Sequence, residues 1–426
     1  MSTVPASDPA LRADLRSLAE RIFADARALS ADRAGVTRKS FGPEVNAIVQ
    51  YLVQLASREG LESGSDGAAN AIFSMPGAGP RPALWCGSHL DSVPQGGNYD
   101  GLAGVVAGLL CLIRLKREHI NLPRPFKVMG IQGEEGAWFG KGCMSSYALF
   151  GRLSPADLAL PLLNSDRTLG QCMAAAGADM RAIQAQQPLV RAEEMAGYIE
   201  LHIEQGPIMA ERGYATAVVP AIRGSMRHSR IQCLGEAGHS GAVPRAFRHD
   251  TVFAFSDLIM RIDRHWQAWL QQGRDLVVTT GIIGTDPSEH SVSRIPGSLI
   301  FSLDIRSQSV DTMKEFYQLI RAECDAIGQE RGVQFIFDRT LESSPAIMDP
   351  RWCESLLDMS QSLGLPRQLI PSGAGHDAVV FAAAGIPSAM IFIRNDHGSH
   401  NPAEAMDIDD FLDGVELMYR AIQELP

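Results

Sequence analysis

Nowhere in the 426 residues do two cysteines fall in a C-x-x-C pair. The seven that exist (Cys86, Cys111, Cys143, Cys172, Cys233, Cys324 and Cys353) are scattered and odd in number. That excludes a disulfide framework or a zinc ribbon, which need paired spacing, and predicts reduced, mostly buried thiols of a cytoplasmic protein. No apolar run approaches the roughly 20 residues that span a bilayer, so no membrane partner is expected. The N-terminal stretch MSTVPASDPALRADLRSLAERIF carries acids and arginines where a secretory leader needs an apolar core. Basic runs are missing too: 38 Lys and Arg against 49 Asp and Glu leave a formal charge of -11. Phosphate binding needs clustered cations, so no nucleic-acid partner is expected. A small anionic substrate stays open, because one placed arginine can override the average field. There is no internal repeat and no low-complexity segment.

What is there suits two domains, since 426 residues exceed one ordinary core. Apolar positions at helical spacing predict a starter helix over Leu11–Leu29. Four apolar runs then end in polar residues able to do chemistry. Ala83–Cys86 leads to His89 and Asp91, and Phe126–Ile131 leads to Glu134 and Glu135. Tyr198–Ile203 contains His202, and Ser388–Ile393 leads to His400. The nearly all-apolar Leu102–Leu115 and other helices separate them, and Gly67–Pro82 reads as a loop. The expected fold is α/β, a mainly parallel sheet with helices on both faces. Ligands bind such sheets beyond the carboxyl ends of the strands. Between about Gly213 and Arg331 the order changes to strand-helix-strand-strand-helix-strand, which predicts an inserted ferredoxin-like α+β domain. The boundaries expected are 1–212 and 331–426 for the catalytic domain, with 213–330 for the insertion.

His89, Asp100, Glu135, His202 and His400 together offer the imidazole and carboxylate donors of a zinc-like ion. Five protein ligands suit two divalent ions if one carboxylate bridges, and Asp100, in the glycine-rich turn 96–101, is the candidate bridge. Paired ions can acidify a shared water and polarise a carbonyl. Adjacent glutamates on an extended segment face opposite ways. Glu135 is therefore read as a ligand and Glu134 as the free general base. Asp91, two residues after His89, is placed to accept the second imidazole N–H. Singly, each of these is more often a structural histidine or a solvated turn. Four such segments, all at strand ends, make the metal reading competitive.

The motifs Gly87-Ser88-His89-Leu90-Asp91-Ser92-Val93-Pro94 with Gly96-Gly97-Asn98-Tyr99-Asp100-Gly101, Glu134-Glu135-Gly136, His202-Ile203-Glu204-Gln205-Gly206-Pro207, Ser372-Gly373-Ala374-Gly375-His376-Asp377-Ala378 and Gly398-Ser399-His400-Asn401-Pro402 resemble those of the hydantoinase/carbamoylase family of metal-dependent amidases. That family sits within the aminoacylase/carboxypeptidase superfamily. The resemblance implies hydrolysis of a C–N bond in an N-carbamoyl, ureido or N-acyl amino-acid-like substrate. It implies one ion, zinc before manganese, cobalt or nickel, on His89, Asp100 and His202, and a second on Asp100, Glu135 and His400. It also implies a homodimer built through the insertion, acting as a lid. Matching positions give Gln205, His239, Arg306 and His376 as substrate contacts, with His239 on the oxyanion, Arg306 on a carboxylate and His376 at the rim. Ser293 stands where relatives commonly have asparagine, and 394–397 also departs from the usual pattern, so specificity is the part left open. A di-zinc aminoacylase or peptidase is the competing enzyme reading. A silent binding protein would be expected to have lost Glu134 or a ligand, and none is missing.

Overall fold

The computed structural model describes residues 9–77 and 82–425. Residues 1–8 of the N-terminal stretch and 78–81 of the Gly67–Pro82 segment lie outside the described residues. The chain divides into two compact units, 1–220 with 347–426, and 221–346.

The first unit is built on a seven-stranded sheet, in the order Glu62–Ser65, Ala71–Ser74, Phe126–Ile131, Ala83–His89, Met195–Ile203, Ser388–Ile393, Thr216–Val219. The four strands from Phe126–Ile131 to Ser388–Ile393 run parallel. The two strands at one edge and the single strand at the other are antiparallel. The sheet is thus mixed, parallel only in its centre. Ala71–Ser74 was expected to be loop; its alternating burial instead fits a half-covered strand.

Central strands read as continuous apolar runs because both faces are covered. Leu102–Arg117 is buried at every position from Leu102 to Leu115 and packs on the sheet beneath the C-terminal helix Ile408–Glu424. Its approach needs glycine: a Cβ on Gly104 would lie 2.2 Å from the carbonyl oxygen of Leu201. The opposite face is covered by Ala378–Ala383, whose Phe381 stacks on Tyr198 at 3.8 Å. Ile408–Glu424 buries Phe411, Leu412, Val415, Met418, Tyr419 and Ile422, the one-sided spacing of an amphipathic helix.

The second unit holds an antiparallel sheet ordered Val277–Thr279, Ser298–Ser307, Gly224–Leu234, Gln334–Ile336. Helices Thr251–Gln271 and Val310–Arg331 pack on it. That is the expected ferredoxin-like order. Burial alternates strictly along Ser298–Ser307, and the covered face meets Phe255, Leu258, Phe316 and Ile320. Both expected boundaries shift. Thr216–Val219 pairs with Ser388–Ile393 and so extends the first unit past 212. Gln334–Ile336 and Leu341–Ser343 pair with Gly224–Leu234 and extend the second past 330.

Among the described residues no helix is long and apolar enough to cross a membrane. All seven cysteines are free and buried.

Candidate metal centre

The central strands deliver their polar residues to one end of the sheet. His89 closes its strand, His202 is the penultimate residue of Met195–Ile203, and Glu134 and Glu135 follow Ile131 in the next loop. His400 follows Ser388–Ile393 after a short loop. Strand order reverses between Ala83–His89 and Met195–Ile203, the kind of switch point where ligands enter open α/β sheets. Asp100 reaches the same place from the turn before Leu102–Arg117. Gly101 there has φ +67°, and a Cβ on it would lie 2.5 Å from the His89 ring. Only glycine fits this approach.

Three groups of potential ligand atoms form, each with its atoms within 4.8 Å of one another: His89, Asp100 and His202; His89, Glu134 and Glu135; Asp100, Glu135 and His400. Nε2 of His89 and of His202 lie 3.4 and 3.1 Å from Oδ1 of Asp100. Nε2 of His400 is 3.3 Å from Oδ2 of Asp100 and 3.7 Å from Oε1 of Glu135. Asp100 therefore spans two clusters, one with each oxygen.

The donor chemistry fits a cation. Nδ1 of His89 faces the main-chain carbonyl of Asp91, and Nδ1 of His202 that of Ile203, each at 2.9 Å. A carbonyl only accepts, so both Nδ1 atoms carry a proton, and with a cation bound each Nε2 would offer its lone pair. Those two Nε2 atoms are 3.4 Å apart. Two imidazole nitrogens and a carboxylate oxygen converge there, a donor set that a positive charge, a bound cation or an imidazolium proton, would hold together. Oδ1 of Asp100 and Oε1 of Glu135 are buried with no hydrogen-bond partner among the described residues. The same crowding moves the titrations. Burial, then the Asp100 charge, pushes Glu135 up to about 7. Burial alone would lower His89, but the adjacent Asp100 carboxylate and the charges of Glu134 and Asp91 outweigh that and raise it.

Asp91 contacts the imidazole through its backbone, its carboxylate being 3.8 Å from His89 Nδ1. The carboxylate is used elsewhere. It accepts the N–H groups of Gly133, Glu134 and Glu135 at 3.0–3.3 Å and the Ser40 hydroxyl at 2.5 Å, which fixes the loop bearing both glutamates.

Other expected contacts also land differently. Gln205 donates its amide to Oδ2 of Asp100 at 2.9 Å. His376, expected at the rim, is 1% exposed and packs edge-on against His202 at 4.4 Å, with Nε2 on the Ser372 hydroxyl at 2.8 Å. Burial and the neighbouring His202 charge hold it well below the usual histidine range, so it is a neutral wall. His239, Ser293 and Arg306 belong to the second unit. His239 pairs with Arg294 across a two-residue ladder and accepts the N–H of Gly241 on Nδ1. The Ser293 carbonyl accepts the N–H of Ser240. Arg306, on Ser298–Ser307, is held by Oδ2 of Asp304 at 2.8 Å.

Four residues escaped the sequence reading. Glu404 accepts the N–H groups of Tyr99 and Asp100. Ser399 bridges Asp100 and Glu404, 2.6 Å from each. Arg38, wholly buried, donates to the main-chain and side-chain oxygens of Asn98 beside the Asp100 turn. Glu200 accepts from the Ser88 hydroxyl and the Ala378 N–H. Glu200 did leave a signal, a charge inside an apolar strand on the face shared by Tyr198 and His202. Arg38 and Glu404 left none, because their partners near Asp100 are distant in sequence, and Ser399 stood beside His400 with nothing local to tie it to Asp100.

The description "Peptidase family M20/M25/M40" matches residues 85–424. Allantoate amidohydrolase of Escherichia coli (strain K12) is 30% identical over 393 residues, 92% of this chain and 93% of that one. N-carbamoyl-L-amino-acid amidohydrolase of Paenarthrobacter aurescens is 30% identical over 417 residues, covering 96% and 98%. The crystal structure of a hydantoinase/carbamoylase family amidase from Burkholderia ambifaria superposes with a TM-score of 0.84 at 26% identity, covering 97% of each chain. With the strand-end cluster in place, these likenesses establish that the chain belongs to the M20/M25/M40 peptidase family, in its hydantoinase/carbamoylase group of amidohydrolases.

Proposed function

We propose that this protein hydrolyses the C–N bond of an N-carbamoyl or ureido amino-acid-like substrate that bears a carboxylate. Hydrolysis of non-peptide C–N bonds is the chemistry named for its relatives. The observation that carries the reading is Asp100, whose two oxygens each face a separate set of candidate ligand side chains. His89, Asp100 and His202 would hold one divalent ion, and Asp100, Glu135 and His400 a second, zinc being the first choice for these donors. When bound, such ions acidify water and polarise a carbonyl.

Glu134 is the proton carrier. Its Oε2 lies 3.9 Å from His89 Nε2, at the mouth of the cluster. Burial raises it well above the usual carboxylate range; His89 opposes this and the Glu135 charge adds to it. A carboxylate shifted toward neutrality can take a proton from water and return it to the departing nitrogen. Asp91 keeps Glu134 aimed by holding its main chain. Roles for Gln205 at the substrate, Arg306 on its carboxylate and His239 on the developing oxyanion are proposed from the family pattern, as are Ser293 and His376 in the substrate shell. A homodimer, a lid role for residues 221–346 and a cytoplasmic setting complete the proposal.

The deciding experiment offers metal-loaded protein carbamoyl, formyl and acyl amino acids, allantoate and ureidoglycolate, and measures released ammonia or free amine. Carbamoyl or ureido compounds should lead. Turnover confined to acyl amino acids would favour the aminoacylase reading, and full turnover by protein shown to be metal-free would end the metal reading.

A further inference from the structure

We infer that Cys143 is a positioning residue for Glu134, its thiol holding one carboxylate oxygen so that the other faces the ligand cluster. This rests on the reading of Glu134 as the base. Sγ of Cys143 lies 3.5 Å from Oε1 of Glu134, while Oε2 is the oxygen turned toward His89. Among the described residues no other hydrogen bond reaches the Glu134 carboxylate.

The backbone is shaped to bring the thiol there. Cys143 has φ +55°, a left-handed conformation uncommon for a side chain with a Cβ and found at sites that the surroundings over-determine. It is pinned from both sides. The Cys143 N–H donates to the Glu134 carbonyl at 3.0 Å, and the Met144 N–H donates to that of Gly133 at 2.7 Å. The chain is so close at this point that a Cβ on Gly142 would lie 2.5 Å from the Glu134 carbonyl oxygen. Burial, followed by the charges of Glu134 and Asp377, pushes the thiol well up, which keeps it an S–H donor. A thiol is a weak donor, but its acceptor is charged and the site is buried, both of which strengthen the bond. Freed of it, Glu134 can turn about its side-chain torsions and leave the reach a general base needs.

Two arms test this on the full-length protein. The S–H stretching band of Cys143, identified by its loss in Cys143→Ser, should shift in the Raman spectrum on Glu134→Gln; an unmoved band overturns the contact and needs no activity to be seen. With metal-loaded enzyme and an N-carbamoyl amino acid, Cys143→Ala should lower kcat about tenfold with KM within about twofold. Cys143→Ser, nearly the same size as alanine but with a donor, should return kcat to within about twofold of the parent. Equal losses in the serine and alanine variants would mean packing alone and overturn the proposal. An active Glu134→Gln enzyme would instead remove the base reading, while the Raman arm still decides the contact.

Discussion

Oε1 of Glu404 accepts the main-chain N–H of Asp100 at 3.2 Å, joining residues 304 positions apart in sequence. The other oxygen of Glu404 meets Ser399, the neighbour of His400. One carboxylate thus braces Asp100 and the arm that carries His400. Supports of this kind usually matter to metal affinity by about 10–100-fold. Glu404→Ala is expected to weaken uptake of divalent ions by that order, read by competition with a chelating dye. Affinity equal to the parent's would show that Glu404 only fixes the turn.

Base and ligand separate by what each loses. Glu134→Gln should abolish turnover and leave bound metal near the parent level, because no coordinating atom is removed. Glu135→Gln and His400→Ala should lose metal and activity together. Elemental analysis beside kinetics decides it, and metal loss in Glu134→Gln would reverse the assignment of the two glutamates.

Arg306 and His239 should fail in different ways. Replacing the planar fork by lysine keeps the charge and loses two-pronged binding, costing roughly 1.5–3 kcal/mol in capture of a carboxylate. Arg306→Lys is therefore expected to lower kcat/KM about tenfold to hundredfold with little change in metal content. An oxyanion contact acts mainly in the transition state, so His239→Ala should lower kcat more than it raises KM. Unchanged kinetics of Arg306→Ala on a carboxylate substrate would remove the clamp.

The sequence reading was strongest where strands are buried on both faces. Phe126–Ile131 and Ser388–Ile393 coincide with their observed strands, since short, largely apolar runs that directly follow a proline leave little choice. It was weakest at the sheet edges. Ala71–Ser74 is four residues long in a segment rich in glycine, alanine and proline, and its pairing with Glu62–Ser65 and Phe126–Ile131 makes it a strand. The site shows the same division. The side chains that cluster, and their places at strand ends, were readable along the chain. The hold of the Asp91 carboxylate on the loop of Glu134 and Glu135 and the bracing by Glu404 and Arg38 arise from folding, which brings together turns that no local pattern connects.

Acid should act on the second unit through a helix-to-helix ion cluster. Arg261 meets Asp257 and Glu323 at 3.2 and 3.0 Å, and Arg331 meets Asp257 at 3.0 Å. Burial would raise Asp257, but the hydrogen bonds of Arg261 and Arg331 outweigh it and hold the group low. Burial likewise opposes, and His265 with Arg261 overcomes, in lowering Glu323. Groups with depressed folded pKa values stabilise above their unfolded values, about 4, and lose that contribution as pH falls through the folded values. The Tm deficit of Arg261→Met should therefore be present at pH 7 and shrink below about pH 4. A deficit constant over that range would assign the effect to packing of the arginine stem.

The parallel neighbours Met195–Ile203 and Ser388–Ile393 carry a consequence for synthesis. From His89 to His400 the clustered side chains span 311 residues, and residues 221–346 intervene as a unit of their own. During translation His89, Asp100, Glu134, Glu135 and His202 emerge long before the strand that completes the sheet. A nascent chain stalled ahead of residue 388 displays an unpaired inner strand edge and an acid-rich half-cluster. Such edges favour aggregation until the partner arrives. The group of Asp100, Glu135 and His400 is accordingly completed only once the C-terminal segment has left the ribosome.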